Sequence, residues 1–127
     1  MSDIKEKFFS LELKKEFQQK LAKYERDQEN AIKVRRQQAE LIAKQVAQML
    51  EKDYHATSVI LFGSLAYGNF SERSDIDLYV IGFQGNYWQA MSRALEISGD
   101  IDISILCEED AHEEFRIEAR ERGIKLC

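Results

Sequence analysis

The chain contains no proline, and neither glycine nor proline interrupts the stretch from Ile4 to Asp53. Proline removes a backbone donor and breaks helices, and glycine in a helix interior costs ~1 kcal/mol relative to alanine. A long run lacking both, and rich in Lys, Glu, Gln, Ala and Leu, has no local reason to leave the helix. Its apolar residues recur at helical spacing in two clusters. The first is Phe8, Leu11, Phe17, Leu21 and Tyr24, and the second is Ile42, Val46, Met49 and Leu50. Between them, "ERDQENAIKVRRQQAE" is mostly polar and reads as a solvated helix or a helical joint. The spacing is too irregular to establish a coiled coil by itself. Phe8, Phe9, Phe17 and Tyr24 need something to cover them, which a partner or a second copy of the helix would do.

The pattern changes at Ala56. "TSVILFG" and "DIDLYVIG" are short β-branched and aromatic runs that end on glycine. "GDIDISILC" alternates Ile101, Ile103 and Ile105 against Asp100, Asp102 and Ser104. These are three strands. "GNYWQAMSRALEIS" lies between the second and third, with Trp88, Met91 and Leu95, and Ala94 beside them, as a helical apolar face. A final helix begins near Glu108, Glu109 and Asp110, where acidic residues favour a helix N-terminus, and ends before Gly123. The expected order is helix, strand, loop, strand, helix, strand, helix. That order is an α/β (α+β) domain with a small mixed β-sheet and flanking helices, preceded by a long N-terminal helical extension. The expected division is residues 1–36 for the extension and 37–127 for the domain.

A chain of 127 residues can bury one real core without staples. The net charge of −5 gives no broad basic face, so nucleic acid is not an expected partner. Cys107 and Cys127 match no zinc spacing and read as free thiols. No apolar run approaches the ~20 residues needed to span a bilayer. "MSDIKEKFFSLELKKEF" has no secretory core. A cytoplasmic protein without a membrane partner is expected.

Two strand ends carry the chemistry. A strand that ends in Gly63-Ser64 and enters a helical turn exposes backbone N–H groups and a hydroxyl, the groups that bind phosphate oxygens. Gly68 and Asn69 let the loop turn back. Alone, Gly-Ser after a strand is a common turn. Asp75 and Asp77, two apart in a strand, point to one face. Paired carboxylates raise each other's proton affinity unless a cation lies between them, and Mg²⁺ takes carboxylate, water and phosphate oxygens. Alone, the short and frequent Asp-x-Asp reads as an exposed strand start. Asp102 joins them if its strand lies beside the second. Three carboxylates can hold two Mg²⁺ ions that clamp an in-line displacement at phosphorus. Asp100, next to Gly99, reads as a strand-start residue.

"GSLAYGNFSERSDIDL" resembles the signature of the polymerase-β-type nucleotidyltransferases: Gly-Ser, ten residues, then Asp-x-Asp. Leu65 to Ser74 fill that gap without insertion or deletion, and Asp102 in "IDIS" matches the later Asp. The short chain and "FRIEARERGIKL" resemble the minimal nucleotidyltransferase (MNT) branch, whose members work as antitoxins beside helical HEPN toxins. The resemblance covers roughly Gln37 to Leu126. It implies a nucleotidyltransferase fold and a transferase that uses ATP or another NTP with two Mg²⁺ ions. Asp75, Asp77 and Asp102 would be the catalytic metal ligands, with Gly63 and Ser64 on the β- and γ-phosphates. The implied acceptor is a hydroxyl, a tyrosine of a HEPN partner. Family members often carry a basic residue just after Gly-Ser. This chain has Leu65, Ala66 and Tyr67 there, and Arg73 is the nearby positive charge expected to contact nucleotide.

Other candidates read as structure. His55 and His112 are surface residues without a second ligand at metal spacing. Tyr87 and Trp88 pack their helix on the sheet, Tyr67 packs or touches substrate, and Arg116, Arg120 and Arg122 lie on a solvated, salt-bridged face. Two alternatives stand beside the protein-modifying enzyme. One is an inactive module that grips a partner, or a homo-oligomer, through the N-terminal helix. The other modifies a small molecule such as an antibiotic and borrows its acceptor pocket from a dimer or partner.

Overall fold

The computed structural model describes residues 2–127, with side chains from residue 11 onward. The side chains of Phe8 and Phe9 lie outside the described residues. The first element, α1, is one helix, Ser2–Tyr54. It ends where His55 adopts a positive φ of 55° and the Ala56 N–H turns back to the Leu50 carbonyl at 3.1 Å. The chain divides into two compact units, Met1–Val34 and Arg35–Cys127. In the first unit Leu11, Leu13, Phe17, Leu21 and Tyr24 are exposed.

The second unit is built on four strands: β1 (Ser58–Phe62), β2 (Ile76–Ile81), β3 (Ile103–Cys107) and the two-residue β4 (Ile124–Lys125). Their order is β3-β2-β1-β4. β1 runs antiparallel to β2 and β4, and β2 runs parallel to β3. Parallel neighbours need a crossover, and the helix α3 (Tyr87–Ser98) supplies it. A single helical turn, α2 (Ser64–Tyr67), follows β1, and α4 (Glu113–Arg122) precedes β4.

Strand alternation sends the side chains of β2 into two cores. Ile76, Leu78 and Val80 meet Ala39, Ala43, Val46, Ala47 and Leu50 of α1 and Ala90 and Ala94 of α3. Tyr79 faces the other way, with Ile60, Phe62, Ala111 and Ala119 of α4. Burying a Leu or Ile fully contributes about 1.5–3 kcal/mol, so the first core carries most of this unit's stability. The expected apolar residues Val46, Met49 and Leu50 are buried and Ile42 is partly so. The alanines between them, too small to stand out in the pattern, let α1 lie close to the sheet.

The expected face of α3 is corrected. Trp88 is 77% exposed and Leu95 49%. The helix instead buries Ala90, Ala94 and Ser98, with Tyr87 and Met91 packed beside them. Small residues bring α3 against a sheet already crossed by α1, and the largest side chain on the helix is left outside. Tyr87 does pack, and its hydroxyl donates to the Ile105 carbonyl at 2.7 Å. Among the described residues no helix is long and apolar enough to cross a membrane.

Candidate active site

β1 ends at Phe62, which pairs with Asp77 of β2. The chain must therefore turn away beside that carboxylate. Gly63 makes the turn at φ 76° and ψ −161°, a conformation essentially restricted to glycine. A Cβ on Gly63 would lie 2.3 Å from Asp77 Oδ2. Two independent reasons thus require glycine there. The next residue, Ser64, opens α2, and its carbonyl accepts the N–H groups of Gly68 at 3.0 Å and Asn69 at 3.2 Å. Gly68 closes the turn at φ 87°.

The parallel register sets Asp77 opposite Ser104, whose hydroxyl donates to Asp77 Oδ1 at 2.8 Å. One oxygen of Asp77 is thus held by β3 and the other lies against the Gly63 turn. Burial pushes the Asp77 carboxyl above the ordinary range, the Ser104 hydrogen bond pulls it back, and the charges of Asp75 and Glu118 push it up again. Asp75 sits exposed just before β2. Asp102 sits exposed just before β3, and its carbonyl accepts the Ile76 N–H at 2.8 Å. The pairing of Ile76 with Ile103 sets Asp75 level with Asp102 at the mouth of the parallel pair. Asp75 and Asp77 are electrostatic neighbours, whereas Asp102 is not among the groups that shift Asp77. Among the described residues, no group of three or more His, Cys, Asp or Glu side chains is placed to hold a metal ion.

A cleft of about 460 Å³ opens over Asp77, between the sheet and α4, with Phe62, Gly63, Ser104, Phe115 and Glu118 on its walls. Glu118 accepts the Tyr67 hydroxyl at 2.8 Å, and the Arg122 guanidinium lies over the Tyr67 ring at 4.2 Å. Burial and the bond to Glu118 push the Tyr67 phenol up. Arg120 pairs with Glu108, and Arg116 Nε donates to the Ala111 carbonyl at 3.1 Å. Only part of the Arg/Glu pattern of α4 is therefore a solvated face. Arg73 is exposed in the turn that precedes β2. In the loop after Gly63-Ser64, Arg36 of α1 donates to the Gly68 carbonyl at 2.7 Å and Arg35 lies over the Phe70 ring at 5.9 Å.

The structure thus brings Gly63, Ser64, Asp75 and Asp77 to adjoining strand ends, with Asp102 beside Asp75. Sequence reasoning missed Ser104, Glu118, Phe115 and Arg36. The alternation that exposes Asp102 also exposes Ser104, so Ser104 was legible as a same-face neighbour. Glu118 was not, because its helix carries many glutamates and only the packing of α4 selects one. His55 and His112 are exposed, and Cys107 and Cys127 are free.

Neighbouring carboxylates, one of them partly buried and driven toward its neutral form by that burial and by the charges of Asp75 and Glu118, suit a divalent cation. Such an ion relieves the repulsion that the protein alone leaves in place. The polymerase beta nucleotidyltransferase family model matches residues 44–127. No curated relative matches the sequence. Among solved structures, the fold is similar to that of a toxin–antitoxin with AMP-PNP, at 20% identity over 66% of this chain and 72% of that chain, TM-score 0.56. It is similar also to a MntA–HpeT toxin–antitoxin mutant, at 18% identity over 66% and 72%, TM-score 0.55. A third is a tri-AMPylated Shewanella oneidensis HEPN toxin in complex with its MNT antitoxin, at 17% identity over 70% and 71%, TM-score 0.53. The family match runs from the buried half of α1 through the Gly-Ser turn, the Asp-x-Asp strand and β4, and the chain belongs to the polymerase beta nucleotidyltransferase family.

Proposed function

We propose that this protein is a Mg²⁺-dependent nucleotidyltransferase that moves a nucleoside monophosphate from ATP to a protein hydroxyl, a tyrosine of a HEPN partner, and so acts as an antitoxin. The observation that carries the reading is the Asp77 carboxylate, clamped between Ser104 and the Gly63 turn and facing an open cleft. The charged groups that act on it, Asp75 and Glu118, are both anions, which favours a bound cation. The similar folds found with AMP-PNP and with an AMPylated HEPN toxin support the choice of nucleotide and partner.

In this reading Asp75 and Asp77 hold the metal ions, and Asp102 completes the set from the next strand. Bound there, Mg²⁺ neutralises charge that develops on the phosphate oxygens. Ser64 and the backbone of the turn hold the β- and γ-phosphates, with Arg73 as the nearby positive charge. The acceptor oxygen attacks the α-phosphorus and forms the new P–O bond. The bond to the bridging oxygen of pyrophosphate breaks, and Asp102 accepts the hydroxyl proton. Residues 37–127 form the catalytic domain and residues 1–36 an extension used for contacts with other chains. The site works in the cytoplasm, where ATP is available.

The test is transfer from ATP labelled at the α-phosphate, with Mg²⁺ and a lysate of the source cells, beside an Asp77→Asn control. A labelled protein band absent with the variant is expected. No label on protein, with each nucleotide tried, sinks the reading and favours the partner-gripping module, which the exposed apolar residues of the first unit would serve.

A further inference from the structure

The first unit presents large apolar side chains from a helix. Leu11, Leu13, Phe17, Leu21, Tyr24 and Val34 are between 44% and 67% exposed. In proteins most helical stability comes from packing an apolar face rather than from propensity. Positions 14, 17, 21, 24, 28 and 31 follow alternating steps of three and four, so they form one seam along the helix. At its centre Gln28 Nε2 donates to Tyr24 Oη at 2.9 Å, so these two seam side chains share a face.

We propose that residues 11–34 form an antiparallel two-helix interface with the same segment of a second copy of this chain. Complementarity selects both the occupant and its direction. With a two-fold axis between Leu21 and Tyr24, Leu21 meets Tyr24 of the second copy and Phe17 meets Gln28, while Lys14 meets only the small Ala31. In antiparallel pairs each border of the seam faces its own counterpart. On one border Leu13 then lies beside Val34 and Lys20 beside Asp27, so apolar meets apolar and cation meets anion. On the other border Leu11 lies beside Ile32. A parallel pair would set Lys14 against Lys14 in the seam, Leu13 beside Gln18, and Asp27 beside Ile32. The paired segment is about 36 Å long, enough for more than three seam repeats per helix.

This interface uses none of Asp75, Asp77 or Asp102, so its failure leaves the catalytic reading standing. The test is analytical ultracentrifugation of the full chain across the micromolar range, with helicity followed by circular dichroism. A concentration-dependent dimer is expected. Leu21→Glu, a good helix former, is expected to retain helicity and weaken association about thirtyfold or more, as for a central seam residue. Lys20→Glu weakens it less, and adding Asp27→Lys restores it, because the two positions face each other only in the antiparallel arrangement. A monomer throughout that range, a dimer indifferent to Leu21→Glu, or a Lys20→Glu defect that Asp27→Lys fails to rescue each overturns the proposal. So does a HEPN protein that captures this face from a chain otherwise monomeric.

Discussion

Replacing Gly63 by alanine tests the packing that holds the site together. The added Cβ would sit 2.3 Å from Asp77 Oδ2 and 3.2 Å from its Cγ. The backbone there, φ 76° and ψ −161°, is strained for any residue with a side chain, at about 1–3 kcal/mol. The carboxylate must also swing away and give up its hydrogen bond from Ser104, about 1.5–3 kcal/mol for a charged acceptor. Together these predict a loss of about 2.5–6 kcal/mol, a large part of the total stability of a small domain. Urea unfolding measures it, and the cycle with Asp77→Ala separates its parts. In the Asp77→Ala background only an ordinary 3.4 Å contact to Cβ remains, so Gly63→Ala should then cost the backbone share alone. The coupling should therefore be about 1.5–3 kcal/mol. Equal losses in both backgrounds would show that the turn does not press on Asp77, and the clamp reasoning fails. Transfer by Gly63→Ala should be lost even where the chain remains folded, because Asp77 has left its position.

Three further outcomes follow from the same geometry. Burial and the neighbouring charges raise the Asp77 carboxyl above its ordinary 3.8, so the wild type is relatively most stable below that pH and loses this contribution as pH rises through the raised value. Asp77→Asn has no proton to lose and should therefore be more stable than wild type at neutral pH, with the advantage shrinking on acidification; urea midpoints that shift equally at both ends would refute it. Ser104→Ala should lower transfer by about ten- to a hundredfold, the worth of a hydrogen bond to a charged group, while Ser104→Thr keeps most of the rate. Burial pushes both the Cys107 and Cys127 thiols up to about 11, so a disulfide reagent at neutral pH should label the native chain slowly and the urea-unfolded chain fast; rapid native labelling would contradict that burial.

The local physics of particular residues made much of this legible in advance. A stretch free of glycine and proline has nothing to end it, and α1 runs to Tyr54. The alternation of Asp and Ile in "DIDL" and "DIDIS" announces which side chains share a face. A strand that stops on Gly63-Ser64 announces the turn. These are short-range consequences of backbone sterics and side-chain period, and they need no knowledge of neighbours. The apolar face of α3 was misread for a related reason. Size suggested Trp88, but the helix turns Ala90, Ala94 and Ser98 inward, with Tyr87 and Met91 packed beside them.

What only the tertiary structure decided is which distant groups meet. The choice of β2 as the parallel neighbour of β3 puts Ser104 on Asp77 and Asp102 level with Asp75. The docking of α4 picks Glu118 from among its glutamates to reach Tyr67 and face the cleft. A residue's own period says which way it points, whereas strand order and helix placement follow from the burial of all apolar surfaces at once. The identity of the candidate site residues is therefore written locally, and their charge, their clamping and their partners are set by packing.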